Sequence, residues 1–237
     1  MMVLAIESSG LVASAAIATP EKLVAEYTTN FKKTHSQTLL PMVDALLQMT
    51  GIRMQEMDAI AVSGGPGSFT GLRIGSATAK GFGLALGVPV ISVPTVDSIA
   101  YNLCGVKGLV CPLMDARRNQ TYTGLYTFNG TRMECVFPQK AMAIEEILEQ
   151  IEKDGREVIF LGDGVPVFHE AIEERLRVPH EYAPVHLSMQ RAGALAALAI
   201  QYYQEGKYGD AGEQKPEYLR LSQAERVRME NAGKEPE

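Results

Sequence analysis

The sequence has no excess of positive charge. It contains 22 lysine and arginine residues against 28 aspartate and glutamate residues, which gives a formal net charge of −6 at pH 7. A chain with this balance has no overall basic field that would attract nucleic acid. Any contact with a polyanion would therefore need a local basic patch or a second subunit.

Cysteines and targeting segments are equally sparse. Cys104, Cys111 and Cys135 match no metal-binding spacing, so we expect reduced, buried thiols rather than a disulfide framework. No basic segment precedes the apolar run at Met2, which predicts the absence of a signal peptide and a cytoplasmic location. A lysine interrupts the short apolar run 74–86, so we expect no membrane span.

Known catalytic motifs are also missing. The glycine-rich stretch 63–75 lacks the Lys-Ser/Thr pair of a P-loop and the third glycine of a dinucleotide-binding fingerprint. No serine lies in a G-x-S-x-G elbow. His35 has no histidine one helical turn later, because position 39 is Leu39. The sequence therefore predicts neither catalytic residues nor a metal site.

The hydrophobic pattern indicates an α/β protein with two related halves. The first half reads as three strands, a helix, a strand, a helix and a strand, at 2–6, 11–18, 23–29, 38–49, 59–62, 74–86 and 88–93. After a connecting helix at 95–103 the order is repeated, at 109–114, 122–128, 133–137, 144–152, 158–161 and 167–175, and a helix at 189–203 closes the chain. We predict lobes 1–94 and 95–221 with a cleft between them, and a polar, flexible tail at 222–237.

Polar residues at the ends of predicted strands are candidates for a nucleotide or anion site. Glycines between a strand and a helix can leave backbone N–H groups free for an anion, or can simply let two backbones approach closely. Glu7 and Asp115 end the first strand of each half. They could hold a divalent cation through water, or each could cap a turn or pair with an arginine. The candidate contacts are Glu7, Ser8, Gly65, Gly67, Ser68 and Asp115.

Small residues recur along the helix that follows the glycine-rich stretch. They stand at every fourth position and so share one face: Gly71, Gly75, Ala79, Gly83 and Gly87. A glycine inside a helix costs about 1 kcal/mol relative to alanine, so a column of such residues needs a compensating contact. We expect this column to receive another helix, from this chain or from a partner.

Several segments together resemble the TsaB (YeaZ) family of bacterial tRNA threonylcarbamoyladenosine biosynthesis proteins, also described as glycoprotease-like. The matching segments appear in the family's order and span nearly the whole chain. They are residues 4–9, 35–41, 65–75, 115–117 with the strand at Tyr122, and 216–220.

The resemblance implies an actin-like ATPase (ASKHA) fold of two ribonuclease-H-like lobes. It also implies a non-catalytic subunit that binds TsaD, the paralogue that transfers threonylcarbamoyl to the adenosine next to the tRNA anticodon. The metal-binding His-x-x-x-His pair of TsaD is broken here at Leu39, and family members tend to have aspartate where this chain has Glu7. The enzymatic alternative is an ATP-dependent kinase-like or hydrolytic member of the same fold.

The resemblance further implies partners and a partner-binding surface. No cofactor is expected to be required, although ATP or ADP can lie at a partner interface. The expected partners are TsaD, TsaE through the complex, a second copy of this chain, and tRNA only indirectly. The expected contact residues lie on the first two helices: Thr38, Leu39, Met42, Leu46, Gly71, Ile74, Gly75, Thr78, Ala79, Phe82 and Gly83.

Overall fold

The computed structural model describes residues 1–31 and 34–219. The first half contains β1 (Val3–Glu7), β2 (Ala13–Thr19), β3 (Lys22–Thr29), α1 (His35–Thr50), β4 (Ala59–Gly65), α2 (Phe69–Leu86) and β5 (Val90–Pro94). The rest contains α3 (Thr95–Ala100), β6 (Leu109–Asp115), β7 (Gln120–Asn129), β8 (Arg132–Ala143), α4 (Ile144–Asp154), β9 (Val158–Leu161), α5 (Val165–Arg175), β10 (His180–Tyr182) and α6 (Ala192–Gln204). The predicted tail 222–237 lies outside the described residues.

The two halves share one sheet topology. The strand order is β3-β2-β1-β4-β5 in the first sheet and β8-β7-β6-β9-β10 in the second. In each sheet the first three strands form the predicted antiparallel meander, and the last two strands run parallel to the first. The chain therefore has the expected actin-like ATPase fold of two ribonuclease-H-like lobes.

Helices cover both faces of the first sheet. On one face, α1 and α2 bury apolar side chains such as Leu39 and Met42 against Leu4 and Ile6. On the other face, α6 packs through residues such as Leu195 against β1, β2 and β4. Although α6 falls in the predicted lobe 95–221, it packs on the sheet of the first lobe. A lobe boundary drawn by chain order therefore assigns α6 to the second lobe, although the chain returns to the first sheet after β10.

Helix ends and short strands differ from the predicted boundaries. The helix α1 extends beyond the predicted range 38–49 and ends at Gly51, which has the left-handed conformation at φ 71° and whose N–H donates to the Leu47 carbonyl. The interior of α1 accommodates Pro41, which lies beyond the first turn. The strand β10 was not predicted, because its three residues are too few for a periodic pattern.

Candidate functional site

A cleft of about 390 Å³ lies between the two lobes. The first lobe contributes residues around Ser9 and the glycine loop, defined here as Gly64–Ser68, and the second lobe contributes Asp115 and Asp163. The segment Glu217–Leu219 forms a third side. This volume matches that of sites for small ligands.

The first predicted cation ligand, Glu7, is closed off inside the first lobe. Its side chain is fully buried. One carboxylate oxygen accepts hydrogen bonds from the backbone N–H and the hydroxyl of Ser9, both at 2.6 Å, and the other accepts a short hydrogen bond from Ser63. Burial raises the pKa of Glu7, and the three hydrogen bonds oppose that rise. Glu7 is therefore a structural residue with no oxygen turned to the cleft.

The second predicted cation ligand, Asp115, is paired with a neighbouring arginine. Its carboxylate accepts the backbone N–H of Arg117 at 2.7 Å and lies 3.1 Å from the Arg117 guanidinium. This arrangement is the alternative in which the carboxylate caps a turn and pairs with an arginine. Among residues 1–31 and 34–219, no three histidine, cysteine, aspartate or glutamate side chains form a group suited to a metal ion. At both Glu7 and Asp115 the structure therefore favours the turn-capping or arginine-pairing alternative over a cation held between the two carboxylates.

The backbone of the glycine loop is used within the fold. The N–H of Gly65 donates to the Thr95 hydroxyl at 3.2 Å, and the N–H of Ser68 donates to the Ser9 carbonyl at 2.6 Å. Ser68 also caps α2, since its hydroxyl accepts the N–H of Gly71 at 3.3 Å. The Ser9 carbonyl lies against Gly67 where a side chain would begin. Of the two alternatives for the glycine-rich stretch, these contacts favour close approach of two backbones over an anion site.

Asp163 is a further carboxylate that lines the cleft. Burial raises its pKa to about 6, with a further rise from nearby Asp115. One of its buried carboxylate oxygens has no hydrogen-bond partner. The Gly162-Asp163-Gly164 turn places this carboxyl directly after β9. The end of that strand was the only sequence signal for it.

The column of small residues on α2 faces the interior of the chain's own fold. The carbonyl and hydroxyl oxygens of Ser8 lie against Gly71 and Gly75, and a Cβ added at Gly83 would lie 2.7 Å from the Cβ of Ala211. Ala79 is fully buried. The prediction that Gly71, Gly75, Ala79 and Gly83 receive a partner is wrong, because Ser8, which follows β1, and Ala211 of the C-terminal segment already occupy that face.

The other predicted contact residues divide into buried and half-buried groups. On α1, the predicted contacts are buried and mostly belong to the core: Thr38, Leu39, Met42 and Leu46. On α2, Ile74, Thr78 and Phe82 are half-buried on the flank of the helix. Of the predicted set, only these three keep part of their surface accessible to a partner.

A second row of small residues on α2 faces outward. Ala77, Gly81 and Ala85 also recur at every fourth position, and all three are exposed. A Cβ added at Gly81 would meet no atom within 4 Å. Beside this row on the same helix, Leu84 is 57% exposed. We call the residues Ala77, Gly81, Leu84 and Ala85 the outward face.

Of the three cysteines, Cys111 is fully buried, Cys104 is half-buried and Cys135 is exposed, so the expectation of buried thiols holds for Cys111 alone. Burial raises the pKa of Cys111 to about 12, so its thiolate is strongly disfavoured at neutral pH. Within residues 1–31 and 34–219, no helix is long and apolar enough to cross a bilayer.

Comparison with known proteins identifies the relatives of this chain. Residues 22–227 match the family model of TsaD, tRNA N6-adenosine threonylcarbamoyltransferase. The Bacillus subtilis tRNA threonylcarbamoyladenosine biosynthesis protein TsaB is 34% identical over 95% of this chain and 96% of its own length. The Escherichia coli protein of the same name is 29% identical over 78% of this chain and 80% of its own. The solved structure of YeaZ from Pseudomonas aeruginosa has a TM-score of 0.77 and 26% identity, and the match covers 92% of this chain and all of that one.

Proposed function

The chain belongs to the TsaB family, within the wider TsaD family whose model it matches, and from this premise we propose that it is an accessory subunit in tRNA threonylcarbamoyladenosine synthesis. In this role it binds and supports the catalytic paralogue TsaD, which transfers threonylcarbamoyl to the adenosine next to the tRNA anticodon. It meets TsaE through the complex, and tRNA only indirectly. The net charge of −6 agrees with a subunit that leaves nucleic-acid binding to its partners.

The observation that carries the proposal is an enzyme-type fold in which the candidate ligand groups Glu7 and Asp115 and the N–H groups of the glycine loop are already engaged internally. Glu7 is buried among serine donors, and Asp115 is paired with Arg117. The N–H groups of Gly65, Ser68 and Gly71 donate within the first lobe or to Thr95. Groups engaged in this way stabilise the fold around the cleft and are not available to bind or transfer a substrate group.

The proposed partner surface is the outward face together with half-buried Ile74, Thr78 and Phe82. An exposed glycine inside a helix lowers stability by about 1 kcal/mol relative to alanine, and no contact in the isolated chain offsets this loss. Gly81 lies in open space on that face, where a small residue lets a partner helix approach closely. The exposed apolar side chain of Leu84 beside it would be buried on binding. A second copy of this chain could use the same surface, so homodimer and heterodimer would compete.

Mass measurement by light scattering tests this proposal. The chain alone, the TsaD paralogue of the same organism alone, and their mixture are compared at equal concentrations. We expect the mixture to give a species with the summed mass of one copy of each chain, and any homodimer of this chain to decrease as that species forms. Two unchanged peaks in the mixture would reject the role of a TsaD-binding subunit.

The kinase-like or hydrolytic alternative rests on the carboxylates Asp115 and Asp163 in a cleft of ligand size. Titration calorimetry of the isolated chain with Mg-ATP separates the two proposals. The accessory role predicts no tight binding by the isolated chain, with ATP or ADP entering only at an interface with the partner. Tight binding with turnover, lost in Asp115→Asn, would favour the enzyme instead.

A further inference from the structure

The last described segment of the chain runs beside α2 in the opposite direction. It begins at Gly209, whose N–H and carbonyl exchange hydrogen bonds of 3.0 Å with Val90. Ala211 then packs on Gly83, and the Lys80 ammonium donates to the Gly212 carbonyl. The chain therefore reaches the glycine loop at the start of α2 after being anchored near the end of that helix.

Residues Gln214–Leu219, which we call the C-terminal strap, close over the glycine loop. The N–H of Glu217 donates to the Gly64 carbonyl at 2.7 Å. The Glu217 carbonyl lies against Gly65 where a side chain would begin, at a backbone φ of 115° that also favours glycine. The glycine at position 65 is thus explained by the approach of the strap.

Side chains continue the contact onto the first turns of α2. The centroid of the Tyr218 ring lies 4.8 Å from that of the Phe69 ring. The Arg73 guanidinium lies over the same Phe69 ring, 3.9 Å from its centroid. The Arg73 Nε also donates to the Tyr218 hydroxyl at 3.3 Å. Tyr218 therefore contacts two side chains of the first turns of the helix, Phe69 and Arg73.

We propose that the C-terminal strap is a detachable brace that holds the glycine loop and the first turns of α2 in place, and that the affinity of the outward face for the catalytic subunit depends on it. The second half of this statement rests on the proposed function. In the first turns of α2, Gly71 and Gly75 lie against Ser8 and contribute no side chain to the packing, so Leu72 is the one fully buried apolar side chain among the described residues of these turns. The strap supplies from outside the packing that these glycines lack.

The strap can detach without unfolding either lobe. It belongs to neither sheet, and Lys215, Glu217 and Tyr218 are exposed. Elements with few buried contacts open locally at low free-energy cost, while the rest of the fold remains intact. The glycine loop, once released, would regain the backbone freedom of its three glycines. Opening of the strap would therefore loosen the helix that carries Gly81.

Hydrogen exchange of full-length variants tests the brace directly. Tyr218→Ala removes the ring that packs on Phe69 and the acceptor of Arg73, whereas Tyr218→Phe keeps the ring contact alone. Tyr208→Ala is the matched control, since Tyr208 is an exposed tyrosine stacked on Tyr203, away from the glycine loop. We expect Tyr218→Ala to speed amide exchange in residues 64–73 by about three- to tenfold, the loss expected for one aromatic contact. Exchange in α6 should be unchanged, and the Tyr208→Ala variant should match the wild type in residues 64–73.

Binding of the same variants to the TsaD paralogue, measured by calorimetry, tests the coupling. We expect Tyr218→Ala to weaken binding by about threefold or more, in step with the faster exchange, and Tyr218→Phe to fall between it and the wild type. Unchanged exchange in residues 64–73 would overturn the brace. Faster exchange with unchanged affinity would overturn its coupling to the partner. Failure of the wild type to bind would reject the proposed function, while the exchange data would still decide whether the brace exists.

Discussion

Gly81 and Gly83 stand two residues apart on α2 and meet opposite surroundings. A Cβ at Gly83 would lie 2.7 Å from the Ala211 Cβ and 2.9 Å from a methyl group of Val90, whereas one at Gly81 would meet nothing within 4 Å. Both residues are helical, so their backbone conformations do not distinguish them. The difference is one of packing: position 83 must be glycine for the fold, and position 81 is free to change.

Alanine at these two positions should therefore have opposite effects on stability. Gly83→Ala forces Ala211 and Val90 apart and should lower the free energy of unfolding by about 1–3 kcal/mol. Gly81→Ala removes backbone freedom from the unfolded chain and should raise the free energy of unfolding by about 0.5–1 kcal/mol. Urea denaturation midpoints of the two variants measure both effects. Equal midpoints would contradict the inward and outward assignment of the two glycines.

The Ser63 hydroxyl should stabilise the fold through Glu7. In Ser63→Ala, one oxygen of a fully buried carboxyl loses its donor, which costs about 1–3 kcal/mol. Thermal and denaturant unfolding measure the loss. Ser92→Ala, at an exposed serine of β5, serves as the control. A Ser63→Ala variant as stable as the wild type would show that the carboxyl finds its partners elsewhere.

Asp163 should make stability depend on pH in a defined window. Its pKa is about 6 in the fold against an ordinary value of 3.8, so the folded state binds the proton more tightly than the unfolded state. The contribution of Asp163 to the free energy of unfolding is therefore fully present below pH 3.8 and is lost as pH rises through 6. The full loss is at most about 3 kcal/mol.

Asp163→Asn removes this titration. Relative to the wild type, the variant should gain stability as pH rises from about 4 to 7, with little difference at the acid end. Denaturant unfolding at half-unit pH steps gives the difference between the two proteins. A difference that does not change with pH would mean that Asp163 titrates normally.

The order of strands and helices was predictable from the sequence, because alternation and helical periodicity are local. The range of β9, residues Val158–Leu161, was predicted to the residue. The inward face of α2 was not predictable, since two rows of small residues share the same spacing, one through Gly75 and Ala79 and one through Gly81. Periodicity places residues on a common face but does not say which face meets the sheet.

Contacts between distant segments were the other part that the sequence could not provide. Ser63 reaches Glu7 across 56 residues, and Tyr218 reaches Arg73 across 145. Because no local pattern links these pairs, the sequence predicted neither the burial of Glu7 among serine donors nor the contact of the strap with α2. The motif around Tyr218 was identified through the family resemblance, and its position over the glycine loop became clear only in three dimensions.

The most direct test of the account is the affinity of Gly81→Arg for the TsaD paralogue, measured by calorimetry beside Gly81→Ala and Gln204→Arg. The first control keeps the residue small, and the second adds the same charge at an exposed position of α6, on the opposite face of the first sheet. We predict that Gly81→Arg folds with wild-type stability and binds more than about tenfold more weakly, while both controls bind normally. Wild-type affinity in Gly81→Arg would contradict the assignment of the outward face as the partner surface.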